Sequence, residues 1–214
     1  IDHAVLTPTA TVNDVENACR LCAGFGTASV CVRPSDVPVA AAILKQSQTK
    51  TSTVIGFPHG TTSTAAKLAE SAQAIRDGAQ ELDMVLNIGR LLSGDLAYVE
   101  QDITEICRLA HSQGVLLKVI FETCYLSDEQ KTAACDICTR VGVDYVKTST
   151  GFGSGGATVQ DIRLMRAHMP PAIGVKASGG IRDLDAMLAV IASGATRIGA
   201  SATEKILAEA RTRE

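Results

Sequence analysis

Residues 143–156, VDYVKTSTGFGSGG, combine a short run of β-branched and aromatic residues with a glycine-rich turn. A run of this kind is typical of a buried strand, and the glycines mark the point where the strand ends. Seven other segments resemble this run, and their starts lie roughly 25 to 35 residues apart, the length of one strand–helix unit. The eight predicted strands span residues 1–6, 27–32, 51–56, 81–86, 115–121, 143–148, 172–177 and 195–199.

Amphipathic stretches lie between these strands, and several end in a glycine that would stop a helix. The clearest predicted helices span residues 63–77, 96–113, 128–141, 159–168, 184–192 and 202–211. Eight strands that alternate with helices predict a parallel sheet with helical crossovers. We therefore expect an α/β fold, a closed (β/α)₈ TIM barrel in which residues 1–214 form a single domain. An open doubly wound sheet is the alternative, but no G-x-G-x-x-G motif follows the first strand.

The composition excludes several classes of partner. Hydrophobic residues make up 46% of the chain and charged residues 20%, which is ordinary for a globular protein. A net charge of −3 and an aromatic content of 3% give no support to a nucleic-acid surface. Because no apolar run reaches the roughly 18 residues of a membrane span, no membrane partner is expected either.

The chain contains seven cysteines and no signal-peptide pattern, which favours reduced thiols and a cytoplasmic location. Two pairs have CxxC spacing, Cys19 with Cys22 and Cys135 with Cys138. A zinc site would require the two pairs to meet across more than a hundred residues, and each pair lies inside a helical pattern. We expect buried, unreactive thiols rather than a metal or redox site.

Three lysines, Lys118, Lys147 and Lys176, lie within predicted strands at a constant spacing of 29 residues. Equivalent positions on neighbouring strands, about 4.8 Å apart, would place these side chains at similar heights. Burial and a neighbouring like charge both disfavour the ammonium form, so one lysine could remain a neutral amine near pH 7. A neutral amine can form a Schiff base with a carbonyl. The alternative is that each lysine extends outward into solvent.

Asp83 lies within the apolar run 81–86, where a buried carboxylate needs a partner. If the strand 115–121 lies between them, Asp83 is two strands from Lys147, and the lysines are the expected partners. Asp83 could hold one lysine charged, relay protons, or form a structural ion pair. Asp2 raises the same question near the start of the chain, and His3 beside it is expected to be structural.

Glycine-rich turns follow three late strands, after Lys147, after Lys176 and at residues 199–201. In a barrel these loops are neighbours on the face formed by the carboxyl ends of the strands, where phosphate sites commonly form. Backbone amides and helix N-termini can bind a phosphate there, and Arg182 is a further candidate.

Small polar side chains lie beside these features. The hydroxyls of Thr148, Ser149 and Thr150 could orient a reaction intermediate, or they could cap the following helix. Cys31, at the end of a predicted strand, is expected to form a small apolar wall. His59, in a loop after the third strand, is expected to be solvated.

Eight segments together resemble the deoxyribose-phosphate aldolases, a family of class I aldolases with a (β/α)₈ barrel. They are IDHAVLTPTAT, ASVCVRP, VIGFPHG, ELDMVLNIG, LLKVIFET, DYVKTSTGF, GVKASGGIR and RIGAS, and they cover nearly the full length. VKTSTGF together with GVKASGGIR is the most specific combination. The resemblance implies reversible cleavage of 2-deoxy-D-ribose 5-phosphate to D-glyceraldehyde 3-phosphate and acetaldehyde, with no metal or organic cofactor.

The resemblance also implies roles for the matched residues. Lys147 would form the Schiff base, Lys176 would lower its pKa, and Asp83 would transfer protons. The pocket residues would be Lys118, Asp2 and Cys31, with Thr148 and Thr150 beside Lys147, and the phosphate contacts would be Gly151, Gly179, Gly180, Gly199 and Ser201. The expected partners are small phosphorylated sugars and aldehydes, with a homodimer or higher homo-oligomer left open.

Two positions depart from the family pattern. Thr7 replaces a frequent lysine, and Phe152 stands where lysine is common, which leaves more of phosphate binding to backbone amides. Three alternative functions remain: another lysine-dependent sugar-phosphate aldolase, a phosphosugar isomerase or epimerase, and a barrel that only binds a phosphorylated ligand. An isomerase would usually rely on carboxylate, histidine or metal chemistry rather than a pair of strand lysines.

Overall fold

The computed structural model describes residues 1–213, and within them eight parallel strands close into one barrel in the order β1 to β8. The predicted TIM barrel is therefore confirmed, and the open sheet is excluded. The strands are β1 (Asp2–Val5), β2 (Ser29–Val32), β3 (Lys50–Ile55), β4 (Glu81–Val85), β5 (Leu116–Ile120), β6 (Tyr145–Lys147), β7 (Gly174–Ser178) and β8 (Arg197–Ala200). All eight predicted strands are present, most of them shorter by one to three residues.

Helices follow the strands around the outside of the barrel. They are α1 (Val12–Phe25), α2 (Val37–Leu44), α3 (Thr64–Arg76), α4 (Ile88–Leu92), α5 (Leu96–Ser112), α6 (Asp128–Val141), α7 (Val159–His168), α8 (Leu184–Ala192) and α9 (Thr203–Arg211). Most begin at a residue whose side chain accepts a hydrogen bond from a first-turn amide, as Ser127 does at α6. In the described part of the chain, no helix is long and apolar enough to cross a membrane.

The register of the strands sets the heights of the three lysines. Lys147 pairs with Lys176 between β6 and β7, as their spacing predicts. Lys118, however, pairs with Tyr145, so it lies two residues below Lys147 along the barrel. The expectation of three lysines at similar heights is wrong for Lys118, because paired residues of β5 and β6 are two positions closer in sequence than the 29-residue spacing of the lysines.

The apolar core lies between the outer surface of the strands and the helices, with Leu82, Val119, Val146 and Val175 among its fully buried members. Residues alternate along a strand, so the neighbouring positions point into the barrel. In β4 to β7 each strand carries at least one buried charged group at an inward position, where branched apolar residues usually fill a barrel: Glu81, Asp83, Lys118, Lys147 and Lys176. A charged barrel interior is the feature that places the site.

Candidate active site

Lys147 is the last residue of β6, and its amine lies at the bottom of a cavity that opens at the carboxyl ends of the strands. Its Nζ donates a hydrogen bond to Asp83 Oδ2 at 2.7 Å. Only 4% of the residue is exposed. The lysine therefore points inward, and the outward-facing alternative is excluded.

Asp83 connects all three lysines. Its Oδ2 accepts hydrogen bonds from both Lys147 and Lys176 at 2.7 Å, and its Oδ1 accepts one from Lys118 at 2.7 Å. The strand order β4, β5, β6 places Asp83 two strands from Lys147, as expected. Burial alone would raise the pKa of Asp83, but its three lysine partners outweigh burial and hold the pKa well below its ordinary value, so the carboxylate stays ionised.

Burial is the main cause that lowers the pKa of Lys147. The carboxylate of Asp83 opposes this shift, and the like charge of Lys176 adds to it. The sequence predicted that burial and a neighbouring ammonium would act in the same direction, and both do, with burial the larger cause. Lys147 is the lysine that most readily becomes a neutral amine, the form that attacks carbonyls.

The two other lysines behave differently. Burial alone would lower the pKa of Lys176, but the carboxylates of Asp2 and Asp83 outweigh burial and raise it. For Lys118, the carboxylates of Asp83, Asp2 and Glu81 likewise outweigh burial and raise the pKa. Both side chains therefore remain ammonium ions, which leaves Lys147 as the lysine of the site that loses its proton most readily.

Two charged residues of this network were not predicted from the sequence. Glu81 Oε2 lies 2.5 Å from Lys118 Nζ, and Arg197 Nη1 lies 2.7 Å from Asp2 Oδ1. Glu81 had a signal, because it precedes Asp83 by two residues in one strand and so faces the same side of the sheet. Arg197 does not follow the 29-residue spacing of the three lysines, so that spacing could not predict it.

The cavity above Lys147 has a volume of about 320 Å³, a size suited to a small ligand. Ten of the predicted site residues line it: Asp2, Cys31, Lys147, Thr150, Gly151, Lys176, Gly179, Gly180, Gly199 and Ser201. Arg182, Thr7 and Phe152 also line it, so both departures from the family pattern are in the cavity wall.

Two predicted pocket residues do not line this cavity. Lys118 is fully buried beneath it, among carboxylates. The hydroxyl of Thr148 donates to the carbonyl of Ser178 at 3.0 Å and accepts from the Ser178 amide at 3.1 Å. Thr148 therefore joins the end of β6 to the end of β7, and its hydroxyl is already engaged.

The glycine-rich loops meet on one side of the cavity. Gly151, Gly179 and Gly180 have φ of 87°, 84° and 80°, a left-handed backbone that glycine adopts readily. Gly156 lies so close to the next loop that a Cβ there would be 2.3 Å from the carbonyl oxygen of Gly179. The loops after β6 and β7 therefore pack backbone against backbone.

Glu122 is a further residue of the site that was not predicted from the sequence. It follows β5, is buried, and adopts φ of 56°, a conformation that costs a non-glycine residue about 1–3 kcal/mol. Its carboxylate accepts hydrogen bonds from the amide and the hydroxyl of Thr150. Glu122 thereby holds the loop that carries Gly151 and Phe152 against the end of β5.

The remaining polar candidates lie where they cannot react readily. Burial raises the pKa of Cys31, and it raises that of Cys19 to about 11 and that of Cys135 to about 12. His3 Nδ1 lies 2.9 Å from Thr203 Oγ1, a contact that ties β1 to α9. Within residues 1–213, no group of three histidine, cysteine or acidic side chains has the arrangement of a metal site.

Comparison with known proteins places this geometry in a family. The family sequence model of the DeoC/LacD family aldolases matches residues 1–208. The chain is 51% identical to a deoxyribose-phosphate aldolase of Rhodopirellula baltica, over 99% of this chain and 88% of the relative. It is 49% identical to a deoxyribose-phosphate aldolase of Thermococcus gammatolerans, over 100% of this chain and 96% of the relative.

A solved aldolase structure also resembles this chain over its whole length. The tetrameric deoxyribose phosphate aldolase of Aeropyrum pernix superposes with a TM-score of 0.92 at 32% identity, covering 100% of this chain and 90% of that one. The buried amine, its carboxylate and the barrel that carries them thus occur in a chain whose whole length resembles aldolases. The protein belongs to the DeoC/LacD aldolase family.

Proposed function

We propose that this protein is a class I aldolase that reversibly cleaves 2-deoxy-D-ribose 5-phosphate to D-glyceraldehyde 3-phosphate and acetaldehyde. The observation that carries the proposal is Lys147, a buried amine of lowered pKa at the bottom of a cavity, 2.7 Å from the carboxylate of Asp83. The relatives that bear the name deoxyribose-phosphate aldolase supply the substrate.

The chemistry begins at the Nζ of Lys147. The neutral amine adds to the aldehyde carbon of the open-chain sugar, and the carbinolamine loses water to give a protonated Schiff base. With the aldehyde carbon numbered C1, the hydroxyl on C3 then loses its proton. The bond between C2 and C3 breaks. Glyceraldehyde 3-phosphate leaves, and the bond's electrons form an enamine with Lys147. Protonation of the enamine and addition of water release acetaldehyde and restore the amine.

Asp83 and Lys176 serve this sequence as proton-transfer groups. Asp83 Oδ2 contacts the nitrogens of both lysines, so it can take a proton from one nitrogen and return it without moving. Lys176 also lines the cavity and remains an ammonium ion, which stabilises the negative charge that develops on the reacting hydroxyl oxygen. These roles make both residues part of the catalytic machinery.

The phosphate is bound at the glycine-rich side of the cavity. Gly151, Gly179 and Gly180 allow close approach of backbone amides, and Arg182 lines the same wall. Helix α9 begins just after Ser201, and its N-cap Ala202 contributes no side-chain hydrogen bond to the first turn. The first amides of α9 are thus free to bind an anion, and the helix dipole favours this.

Three broader assignments complete the proposal. Residues 1–214 act as one aldolase domain, supported by the family match over residues 1–208. The protein works in the cytoplasm, which its seven free thiols support. It assembles as a homo-oligomer, which the tetrameric relative and the exposed Leu188 and Ile191 of α8 support.

The test is a direct assay of both products from 2-deoxyribose 5-phosphate, with ribose 5-phosphate and unphosphorylated deoxyribose as comparison substrates. The proposal predicts equal amounts of acetaldehyde and glyceraldehyde 3-phosphate, and little turnover of the comparison substrates. Conversion without a two-carbon product would instead identify an isomerase or epimerase. Cleavage of a different sugar phosphate in preference would identify another lysine aldolase.

A further inference from the structure

The charged groups beside and below Lys147 form a closed ring in which cations and anions alternate. In order, the neighbours are Glu81, Arg197, Asp2, Lys176, Asp83, Lys118 and again Glu81. The six nitrogen–oxygen distances around this ring, in the same order, are 3.3, 2.7, 2.5, 2.7, 2.7 and 2.5 Å. We call these six residues the charge ring. Its three positive and three negative groups balance.

Lys147 is attached to the charge ring but lies outside it. It contacts one carboxylate of the ring, that of Asp83, whereas Lys176 contacts two and Lys118 three. If Lys147 were protonated, the network would carry one uncompensated positive charge in a largely buried site. Such a charge is costly in a medium of low dielectric constant.

We propose that Arg197 and Glu81 are positioning residues that set the charge state of Lys147, by completing a ring whose charges balance without it. This inference rests on the proposed function, since it explains how that function keeps its nucleophile uncharged. Neither residue lines the cavity, so both act through the ring. An arginine does not lose its proton in a protein, so Arg197 stays charged. Among the three lysines, Lys147 has the fewest carboxylate partners. The ring therefore leaves Lys147 as the group that loses its proton.

The structure holds Arg197 in place from a second side. The Arg197 guanidinium lies over the ring of Tyr145, 4.9 Å from its centre, and its Nη2 lies 3.3 Å from the Tyr145 hydroxyl. Gly174 makes room for that ring, because a Cβ there would lie 2.2 Å from a ring carbon of Tyr145. The carboxylates of Asp2 and Glu81, with Tyr145, outweigh burial and raise the pKa of Arg197.

The other side chains around Lys147 leave this charge balance unchanged. The titratable groups inside the barrel on the surrounding strands are Asp2 on β1, Cys31 on β2, Glu81 and Asp83 on β4, Lys118 on β5, Lys176 on β7 and Arg197 on β8, and of these Asp83, Lys176 and Cys31 act on Lys147 directly. Strand β3 contributes Ser52, a neutral side chain that contacts Lys118. Burial raises the pKa of Cys31, so this thiol adds no charge near neutral pH.

Competitive labelling of the Lys147 amine with acetic anhydride tests the proposal, because it measures the titration of this amine without any turnover. The extent of labelling is followed across pH by mass spectrometry of the peptide that contains Lys147. Arg197→Met leaves the ring with an excess negative charge, so the midpoint should rise by about one pH unit. Glu81→Gln leaves an excess positive charge, so the midpoint should fall.

Two further variants separate charge from shape. The double variant Arg197→Met/Glu81→Gln restores the balance, so its midpoint should return close to that of the wild type. Arg197→Lys keeps the positive charge and should move the midpoint less than Arg197→Met. Arg140→Met, which removes an exposed partner of Glu100 far from the barrel interior, is the control and should change nothing.

An unchanged or lowered midpoint in Arg197→Met would overturn the proposal, as would equal shifts in Arg197→Met and Arg197→Lys. If circular dichroism shows that Arg197→Met does not fold, the labelling midpoints of Glu81→Gln and of the double variant test the proposal instead. A raised or unchanged midpoint in Glu81→Gln would contradict it. If the midpoints shift as expected but no deoxyribose 5-phosphate is cleaved, the proposed function falls and the ring stands. If the sugar is cleaved but the midpoints do not shift, the ring falls and the proposed function stands.

Discussion

At the scale of single residues, the central feature is an amine and a carboxylate that share a buried site. Lys147 is 4% exposed, and its ionic partner Asp83 is fully buried. In water the ammonium form would be strongly favoured, and burial weakens that preference by lowering the pKa of Lys147. This local environment is what the proposed lysine chemistry at neutral pH requires.

Replacement of Lys147 by methionine should abolish cleavage. The substitution keeps most of the side-chain volume but removes the nucleophile, so the rate constant kcat should fall by several orders of magnitude. Steady-state assays with deoxyribose 5-phosphate measure this directly. Lys205→Met, at an exposed lysine on α9, is the matched control and should retain full activity. Activity of Lys147→Met within about tenfold of the wild type would contradict a covalent role.

Lys176 should affect the pH dependence of the reaction. Because its positive charge lowers the pKa of Lys147, Lys176→Leu should raise that pKa. A raised pKa means that Lys147 becomes protonated at higher pH. The acidic limb of the kcat/KM profile should therefore shift to higher pH, and activity near neutrality should fall. The measurement is a pH–rate profile of wild type and variant. An acidic limb that stays in place would show that Lys176 does not act through its charge.

Part of this residue-level arrangement could be predicted from the sequence. The regular spacing of the lysines located Lys147 and Lys176, and an acid inside an apolar strand pointed to Asp83. Glu81 was missed although it lies on the same face of β4 as Asp83, and Arg197 was missed because it does not follow the 29-residue spacing of the lysines. A contact between residues 2 and 197 exists only once the barrel has closed.

At the scale of elements, the loops after β6 and β7 act as one unit, because Gly156 packs against the carbonyl of Gly179. Gly156→Ala would place a methyl group 2.3 Å from that oxygen and force the loops apart. We expect KM for deoxyribose 5-phosphate to rise about tenfold, the equivalent of one weakened hydrogen bond to a charged group.

Two comparisons make this loop prediction specific. Turnover of unphosphorylated deoxyribose should change little in Gly156→Ala, because that sugar makes no phosphate contacts. Gly24→Ala is the control, since a Cβ at that position has no atom within 4 Å. Equal losses for both sugars would mean that the loops shape the whole site rather than the phosphate end.

A buried ion pair joins three elements on the outside of the barrel. Lys67 on α3 donates to Asp102 on α5 at 2.5 Å and to the carbonyl of Val85 on β4 at 2.9 Å, and both charged side chains are fully buried. Lys67→Met leaves Asp102 without its cation, so stability should fall by about 3–5 kcal/mol. Urea unfolding measures the change.

The double variant Lys67→Met/Asp102→Leu tests the reason for that loss. It removes both charges and should recover most of the stability, because an unpaired buried charge costs more than the pair contributes. If the double variant is as unstable as Lys67→Met, the loss comes instead from packing around the lysine side chain. That side chain packs closely against Gly56, where an added Cβ would lie 2.7 Å from Lys67 Cε.

Element types were predictable where the pattern was long and periodic. Helix α5, with its capping Asp95, matches residues 96–113 closely. Helices α2 and α4 were not predicted, because α2 is apolar on most of its surface and the five-residue α4 is too short to show a period. The left-handed backbone of Glu122 had no local signal, since tertiary contacts with Thr150 hold it.

At the scale of the whole molecule, closing the barrel brings the charges together. The charge ring draws on five strands, β1, β4, β5, β7 and β8, and β6 contributes the amine. The fold could be predicted from the alternation of strands and helices, but the ring could not. Strand register decides which inward side chains meet, and a shift of one residue would turn each of them to the outer face.

Reductive trapping tests the central claim most directly. The protein is incubated with deoxyribose 5-phosphate and sodium borohydride, digested, and studied by peptide mass spectrometry. A neutral Lys147 amine predicts a reduced adduct of the acetaldehyde fragment on the peptide that contains Lys147, and its absence from Lys118 and Lys176. An adduct confined to Lys176, or cleavage of the sugar with no trapped lysine, would contradict the account.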